Sequence, residues 1–449
     1  MKMVMPFGMG RGWRGASCLA ICVFLTACAS LPAPDGLEAE ILAQAEGLTP
    51  LTPARGQDVR SVSRNGLLIN PSVREAASLV AAGAEEVRVQ RAALFPGLGL
   101  SLGGGVGPGG SGDPALELEA SQLLFDGGNS KRAVKVADFD LQISYIGFQK
   151  EVDDAVLELL KAYDDVQTHG ELLDVYRRQL AALSELETLV AARARSGAVS
   201  STDLLETRKR LQSAGFLVND TELALGEAQD RLVLLTGQQR GGRVGITAPS
   251  CKARDETDDM RMARLELARA ELALEKAEGA RQPRVALKPL VRAEFGTGKL
   301  PVGLNLDVQS DLLQGGALSA KVNLARNSLA ASRARLEAAK LEDSLTERAL
   351  LRSLAAGERK TDMLRRQIDL LSETRKLYRS QYFDMGTRQL SELLDNEEEY
   401  YGRQAELVTL RSTLAADRLD CAARSRVLRR KLGLENSSLY GFPLSPDLN

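Results

Sequence analysis

The chain of 449 residues is poor in histidine and in aromatic residues, which contribute to many functional sites. It has one histidine, His169, which leaves little material for histidine metal sites or for a Ser-His-Asp triad. Aromatic residues make up 4% of the chain and the formal net charge is −2, so neither base stacking nor a basic stripe indicates nucleic-acid binding. We therefore expect no enzymatic activity, no metal, no cofactor and no nucleic-acid partner, and we interpret Glu397-Glu398-Glu399 as a solvated helix face.

The N-terminus lacks an apolar run of membrane-spanning length. The run from Ala16 to Leu25 is too short to cross a bilayer, and a basic segment precedes it, with Lys2, Arg11 and Arg14. Residues 1–27 are therefore predicted to be a signal peptide. The closing Leu25-Thr26-Ala27-Cys28 resembles a bacterial lipobox, and an ordinary secretory signal is the alternative.

The lipobox resemblance implies cleavage before Cys28 and acylation of Cys28, with palmitate among the acyl chains. Because Ala29 follows rather than aspartate, it also implies sorting to the Gram-negative outer membrane. Cys251 and Cys421 then remain in an oxidising compartment. They either pair with each other or stay as two buried thiols.

Two stretches late in the chain alternate between apolar and polar residues, which predicts strands at about 285–295 and 302–312. The first stretch places Val285, Leu287, Pro289, Val291, Ala293 and Phe295 on one face. The second does the same with Val302, Leu304, Leu306 and Val308. The glycine-containing loop 296–301 between them predicts a hairpin.

Landmarks recur after about 188 residues, which indicates a duplicated unit rather than a solenoid. The Leu124-Phe125-Asp126-Gly127-Gly128 turn returns as Leu312-Leu313-Gln314-Gly315-Gly316. The twin strands fall at about 95–105 and 115–125. We predict an irregular segment 28–65, a first repeat 66–237, a linker 238–257, a second repeat 258–433 and a C-terminal tail 434–449.

Long proline-free runs at 130–195 and 317–384 predict helices far longer than those of ordinary globular domains. A helix of 66 residues would be about 100 Å long. Spacings of four and three at Val152, Val156, Leu159, Tyr163 and Val166 favour coiled-coil packing. The helical hairpins reverse at 196–203 and 383–388, at the end away from the strands.

Four strands with one apolar face cannot close a membrane barrel alone, because open edges leave backbone groups without hydrogen bonds in lipid. Copies must therefore pool strands, two chains giving about eight and three about twelve. The polar face would line the lumen, with Lys288, Arg292, Glu294, Asn305, Asp307, Gln309 and Asp311. The alternative is a soluble antiparallel sheet packed on a core.

The segment from Tyr382 to Asp395 resembles the second periplasmic turn of the TolC-type outer-membrane efflux protein family. The segment from Gly197 to Leu205, the paired glycine turns and the duplication resemble that family too, so the likeness covers about 70–433. It implies a mainly α-helical homotrimer. Each chain would give four strands to a twelve-stranded outer-membrane barrel that a periplasmic α-helical barrel continues.

The resemblance also implies a gate at the turns. Arg388 of the second turn would bond a Thr-Asp pair of the first turn, Thr202 and Asp203. Glu392, in place of an aspartate, and Asp395 would narrow the pore and favour cations.

Simpler roles remain open for two gate residues. Arg388 could be a solvated charge at a helix end, and Asp203 could cap the helix that follows it. The family's gate tyrosine falls on Phe383 here, with Tyr382 beside it.

The predicted function is a passive, gated exit duct of a tripartite export system in outer-membrane lipid. Its partners would be a periplasmic adaptor with either an inner-membrane ABC transporter, for type I protein secretion, or a proton-driven pump, for multidrug efflux. A lipid-anchored periplasmic coiled-coil scaffold or adaptor is the alternative from another class.

Overall fold

The computed structural model describes residues 36–103, 106–107, 110–111, 115–247, 250–252, 256–294, 301–310 and 315–445. Its helices are α1 (Leu37–Glu46), α2 (Val59–Ile69), α3 (Pro71–Ala92), α4 (Asn129–Arg195), α5 (Ser201–Thr236), α6 (Asp258–Gly279), α7 (Ala317–Ser380), α8 (Leu390–Arg424) and α9 (Leu428–Leu432), with a π-helical turn at Gln381–Met385. Its strands are β1 (Thr49–Pro50), β2 (Gly97–Gly103), β3 (Val106–Gly107), β4 (Gly110–Ser111), β5 (Ala115–Phe125), β6 (Arg284–Glu294), β7 (Val302–Gln309), β8 (Ser437–Leu439) and β9 (Phe442–Pro443).

The predicted fold class, mainly helical with two duplicated hairpins, is confirmed. The predicted signal peptide 1–27 and Cys28 lie outside the described residues, as do Asp311 and the predicted strand ends at 104–105, 295 and 311–312. None of the helices in the described part of the chain has an apolar stretch long enough to cross a membrane.

The chain divides into two compact units. The first comprises Met1–Glu40, Ala84–Asp138 and Lys276–Leu318. The second comprises Ile41–Gly83, Phe139–Glu275 and Ser319–Asn449. Each predicted repeat therefore contributes its strands to the first unit and most of its helical residues to the second.

The first unit contains an antiparallel sheet in the order β2-β5-β6-β7. The β2–β5 and β6–β7 pairs are the two predicted hairpins. The central β5–β6 pairing, which the sequence analysis did not specify, sets Leu118 opposite Val291 and Glu117 opposite Arg292. The two hairpins thus form one continuous four-stranded sheet.

The sheet keeps the predicted apolar face, and that face is exposed on the outer strands β2 and β7. Leu100 is 67% and Val302 75% exposed. Other exposed apolar side chains on the outer strands are Leu98, Leu102, Leu304, Leu306 and Val308. Exposed apolar surface of this extent raises the free energy of the sheet in water, and burial of that surface would lower it.

The turn after β5 is closed by its own side chains. Asp126 accepts hydrogen bonds from the Gly128 amide at 2.9 Å, the Ser130 amide at 2.7 Å and the Ser130 hydroxyl at 2.6 Å. Burial of Asp126 alone would raise the pKa of its carboxyl, but these hydrogen bonds outweigh burial and hold the pKa below its ordinary value. Left-handed φ angles occur at both glycines of this turn and of its twin, at Gly127, Gly128, Gly315 and Gly316.

The long helices match their prediction closely. Helix α4 has 67 residues and α7 has 64, so each is about 100 Å long. The predicted coiled-coil positions of α4 are all buried, from Val152 to Val166. The difference lies at the end of α7, where the last turn of the predicted helix is π-helical.

The expectation that 28–65 is irregular is wrong for α1 and for the first part of α2. Helix α2 buries Val62 and Leu67. Gly66 lies so close to Leu159 that a Cβ there would approach its Cδ1 to 2.5 Å. Because the contact requires a glycine, the hydrophobic period of α2 is interrupted in the sequence. The described residues of the predicted linker 238–257 contain no helix or strand.

A small sheet joins the beginning and the end of the second unit. Strand β1 pairs in parallel with β8, and β8 pairs with β9. Nearby, the buried Arg429 binds Asp153 through two bonds, Nε to Oδ1 at 2.8 Å and Nη2 to Oδ2 at 2.6 Å. Arg429 also donates to the Leu444 carbonyl at 2.9 Å, so the predicted C-terminal tail is anchored to α4.

Cys251 and Cys421 form a disulfide, with their Cα atoms 4.2 Å apart. Of the two hypotheses for these cysteines, the structure therefore supports pairing. Arg424 reinforces the junction by donating to the Cys251 carbonyl at 3.1 Å and to Asp343 Oδ1 at 2.6 Å. The disulfide ties the linker to the last turn of α8.

Candidate gate at the helical turns

The first turn joins α4 to α5 through residues 196–200. Gly197 has a left-handed φ of +74°. The Ser200 hydroxyl accepts a hydrogen bond from the Asp203 amide at 3.1 Å, so Ser200 caps α5. The simpler role considered for Asp203, that of helix cap, is therefore wrong. Asp203 instead lies in the first turn of α5, where the helix dipole favours a carboxylate.

The second turn begins as a π-helical turn and ends at α8. Gly386 takes a left-handed φ of +66°, and the Thr387 amide donates to the Gln381 carbonyl at 3.0 Å. π-Helical turns interrupt the regular hydrogen-bond ladder and recur at functional sites. This turn replaces the continuous helix expected up to residue 384.

Both turns share one hydrophobic cluster, which fixes their positions relative to each other. Its buried members are Leu183, Leu186, Val190, Ala214, Tyr382, Leu390, Leu393 and Leu394. Val199 of the first turn and Phe383 of the second pack against the cluster. The predicted gate residues are therefore brought into one region of the second unit.

Arg388 makes its contacts within the second turn. Its Nε donates to Gln381 Oε1 at 3.1 Å and its Nη1 to Glu392 Oε2 at 3.1 Å. Its guanidinium carbon lies 4.0 Å from the centre of the Tyr378 ring. Within the described chain, Arg388 forms no hydrogen bond or ion pair with Thr202 or Asp203.

The local pairing of Arg388 has a simple cause. Glu392 follows Arg388 by four residues. At the start of α8 this spacing places the two side chains on the same face, where they can pair. The guanidinium is occupied by its own hairpin, while Thr202 is exposed and Asp203 partly exposed on α5.

Arg193 of α4 holds the second turn from the opposite side. Its Nη1 donates to the Tyr382 carbonyl at 3.1 Å, and its guanidinium lies 5.4 Å from the Tyr382 ring and 5.6 Å from the Phe383 ring. Arg193 was not among the predicted gate residues. Basic residues are common in the last turn of helices, so the position of Arg193 near the end of α4 did not indicate a role in the gate.

Tyr382 is 8% exposed, and its hydroxyl has no hydrogen-bond partner among the described residues. Burial raises the pKa of this phenol, and the negative charge of Asp203 raises it further against the opposing effect of Arg193.

The predicted constricting acids both have arginine partners. Glu392 pairs with Arg388, as described above, and Asp395 Oδ1 lies 3.0 Å from Arg210 Nη2 of α5. Arg210 also pairs with Glu206 and with Glu398. Both acids therefore have compensating charges, which were not predicted.

The interpretation of Glu397-Glu398-Glu399 as a solvated face is wrong for Glu397, which is 1% exposed. Glu397 accepts a hydrogen bond from Arg375 Nε at 2.6 Å, and Arg375 lies 5.3 Å from the rings of both Tyr400 and Tyr401. The pair links α7 to α8. In the described part of the chain, no cluster of His, Cys, Asp and Glu is arranged to hold a metal ion.

Of the predicted lumen residues, Lys288, Arg292, Asn305 and Asp307 lie on one face of the four-stranded sheet. Lys288 Nζ is 2.6 Å from Asp307 Oδ2, and Asn305 is the cross-strand partner of Lys288. Arg292 lies opposite Glu117. Glu294 ends β6 in register with Ala115.

Known proteins share this architecture. Residues 63–238 match the model of the family described as outer membrane efflux protein. Protein CyaE of Bordetella pertussis is 23% identical over 201 residues. That alignment covers 43% of this chain and 42% of CyaE, so the chain matches less than half of this relative's length.

Solved structures extend the likeness to most of the chain. The outer membrane protein VceC of Vibrio cholerae superposes with a TM-score of 0.75 at 15% identity, covering 82% of this chain and 95% of VceC. The chain has the TolC-type outer-membrane channel fold. The CmeC outer membrane channel of Campylobacter jejuni gives the same TM-score at 14% identity, covering 87% of this chain and 88% of CmeC.

The segment of this chain that matches the family model includes the first turn, with Thr202 and Asp203. Arg388, Glu392 and Asp395 of the second turn lie beyond that segment. The match to the family model therefore does not extend to the second turn.

Proposed function

We propose that this protein is the outer-membrane exit duct of a tripartite export system, a passive conduit gated at its periplasmic turns. The observation that carries the proposal is the four-stranded sheet with one exposed apolar face and one charged face. A sheet of this kind is suited to lipid on one side and water on the other.

The sheet supplies a reason for assembly. Among the described residues, β2 pairs with β5 and β7 pairs with β6, and each has a second edge without a strand partner. In lipid, unpaired backbone groups at such edges cost several kcal/mol each. Three copies would join edge to edge into a closed barrel of about twelve strands.

The long helices support the same assembly. Helix α7 exposes Met363, Leu370 and Leu377 at intervals of seven residues, and α5 exposes Phe216 and Leu223 at the same interval. Apolar side chains at heptad spacing form seams between neighbouring helices. We therefore propose a homotrimer in which these faces meet between copies and the helices enclose the conduit.

The charged face of the sheet would line the outer part of the conduit. Acids and bases alternate across it, as in the Lys288–Asp307 pair. Such a lining keeps water in the pore without a strong preference for one sign of charge.

The second turn would close the inner end. Arg388, held by Tyr378 and Glu392, would reach Thr202 and Asp203 of a neighbouring copy. A partner that offers competing contacts to these residues would shift the gate toward its open state. Acylated Cys28 would add an anchor in the outer membrane.

The partners follow from the passive nature of the duct. No source of energy is expected in this chain, so an inner-membrane ABC transporter or proton-driven pump would supply it, joined through a periplasmic adaptor protein. The cargo is a secreted protein in the first case and a small molecule in the second. A lipid-anchored scaffold would have no use for the exposed apolar sheet face.

The duct is tested with the full chain in mild detergent. We expect a trimer by light scattering and ion channels in planar bilayers. Arg388→Ser should raise the single-channel conductance, because it removes the contacts that hold the second turn. The matched control is Arg365→Ser, an exposed arginine whose ion-pair partner is Asp362 on its own helix.

A monomer that forms no channels would support the scaffold and overturn the duct. Equal conductance for wild type, Arg388→Ser and Arg365→Ser would retain the duct and remove Arg388 from the gate.

A further inference from the structure

One arginine of α5 forms an ion-pair cluster with α8. Arg210 donates from Nε to Glu206 Oε1 at 2.9 Å, from Nη2 to Asp395 Oδ1 at 3.0 Å, and from Nη1 to Glu398. Each nitrogen of the guanidinium therefore bonds a different carboxylate. Two of the three carboxylates lie on α8, so the cluster ties the second hairpin to α5.

The setting makes this cluster stronger than an ordinary surface pair. The Arg210 side chain is 25% exposed, and charge-assisted bonds gain strength as water is excluded. Lys209 adds a long contact of 3.5 Å to Glu206 but none to the acids of α8. Without Arg210, Asp395 and Glu398 would face each other one helical turn apart with no cation between them.

The other arginines of the turns act differently. Arg388 bonds residues of its own hairpin and therefore stiffens the second turn without tying it to α5. Arg193 reaches the second turn from α4, but it bonds a main-chain carbonyl and compensates no acid there. Arg210 both crosses between hairpins and neutralises a predicted constriction residue.

We propose that Arg210 is the positioning residue that holds the second turn in its resting position and sets the charge that permeating ions meet at Asp395. This inference rests on the proposed function of the turns as the gate of a channel. The arginine acts through the carboxylates of α8 and restrains the turn while leaving Asp395 at the pore.

The test uses the full chain in planar bilayers, with Arg210→Gln as the principal variant. We expect the open fraction to rise by at least about tenfold, because Arg210→Gln removes charge-assisted bonds to two acids of α8 and the loss of one such bond already implies that factor. We also expect the reversal potential to move toward cation selectivity, because three copies then present uncompensated acids. Arg208→Gln is the matched control, since Arg208 lies on the same helix and pairs with Glu187 of α4.

Two further variants separate the restraint of the second turn from the effect on the charge at Asp395. Arg210→Gln combined with Asp395→Asn should restore wild-type selectivity while the open fraction stays high. Arg210→Lys keeps the charge but cannot bond three carboxylates with one fork, so selectivity should stay native while the open fraction rises by less. Size-exclusion profiles confirm that each variant assembles.

The outcomes distinguish the two proposals. If wild type and Arg208→Gln form no channels, the proposed function fails. If both form channels and Arg210→Gln matches them in open fraction and in reversal potential, the role of Arg210 is refuted. A higher open fraction without a change in selectivity would refute the placement of Asp395 at the pore.

Discussion

The four-stranded sheet of the first unit and the helical turns of the second bury their apolar residues in opposite ways. The outer strands of the sheet leave their leucines and valines exposed, from Leu98 on β2 to Val308 on β7. The turns bury Leu393 and Leu394 completely within the chain. The sheet therefore needs lipid or another chain to bury its apolar side chains, whereas the turns bury theirs against residues of the same chain.

The ion pairs also differ between the turns and the sheet. At the turns, acids of α8 are matched by arginines of other helices, as in the Arg210–Asp395 and Arg375–Glu397 pairs. On the sheet, the Lys288–Asp307 pair joins neighbouring strands on the face opposite the apolar one. A change on the sheet should thus affect assembly, and a change at the turns should affect local stability and gating.

The largest expected effect comes from a charge on the apolar face of the sheet. Leu306→Lys places an ammonium where we propose lipid, and such a charge costs about 2–4 kcal/mol per chain near the bilayer centre. The trimer fraction in mild detergent should fall sharply. The control, Gly303→Lys on β7, places the same charge on the polar face, where a Cβ meets no atom within 4 Å and the cross-strand partner is Leu290, and should assemble normally. Equal trimer fractions for the two variants would argue against lipid contact.

A smaller effect is expected from the core of the turns. Leu393→Ala removes a fully buried side chain and should cost about 2–5 kcal/mol. Hydrogen exchange of the first turns of α8 measures the loss directly, because it reports local opening. The exposed Leu205→Ala on α5 should change exchange by less than about 0.5 kcal/mol. Unchanged exchange in Leu393→Ala would show that the cluster does not hold the turn.

The smallest effect concerns the turn that follows β5. Because the pKa of Asp126 is held below its ordinary value, its carboxylate stabilises the turn above the unfolded pKa of about 3.9. That contribution is lost as pH falls through the folded pKa. Asp126→Asn should weaken protection of the Ser130 amide by about 1 kcal/mol at pH 7 and remove its dependence on acid. A variant as protected as wild type at pH 7 would contradict this role.

The strands and long helices were predictable because their signals are local. Alternation along 285–309 specifies both strand and face, and proline-free runs specify helices. The pairing of β5 with β6 was not predicted, because these strands lie about 170 residues apart and no pattern in the sequence identifies them as partners.

The candidate site was predictable in its location and less so in its contacts. The Arg388–Glu392 pair has the spacing of four residues that a helix makes adjacent, so the sequence contained it. Arg375 and Glu397 are equally distant from Gly386, and the symmetry of a helical hairpin could have indicated their contact. Arg210 and Arg193 require knowledge of which helix faces meet, which spacing alone does not supply.

The small sheet that pairs Thr49 with Ser437 carries a consequence for biogenesis. Strand β1 can find its partner only after nearly the whole chain has emerged, and contacts between such distant residues form slowly. Until then α2 lacks the contact of the Tyr440 hydroxyl with the Leu68 carbonyl, so a growing or truncated chain is more open to chaperones and proteases there. The pairing of β1 with β8 is therefore among the last contacts that the chain can form, and a chain that stops before Ser437 cannot make it.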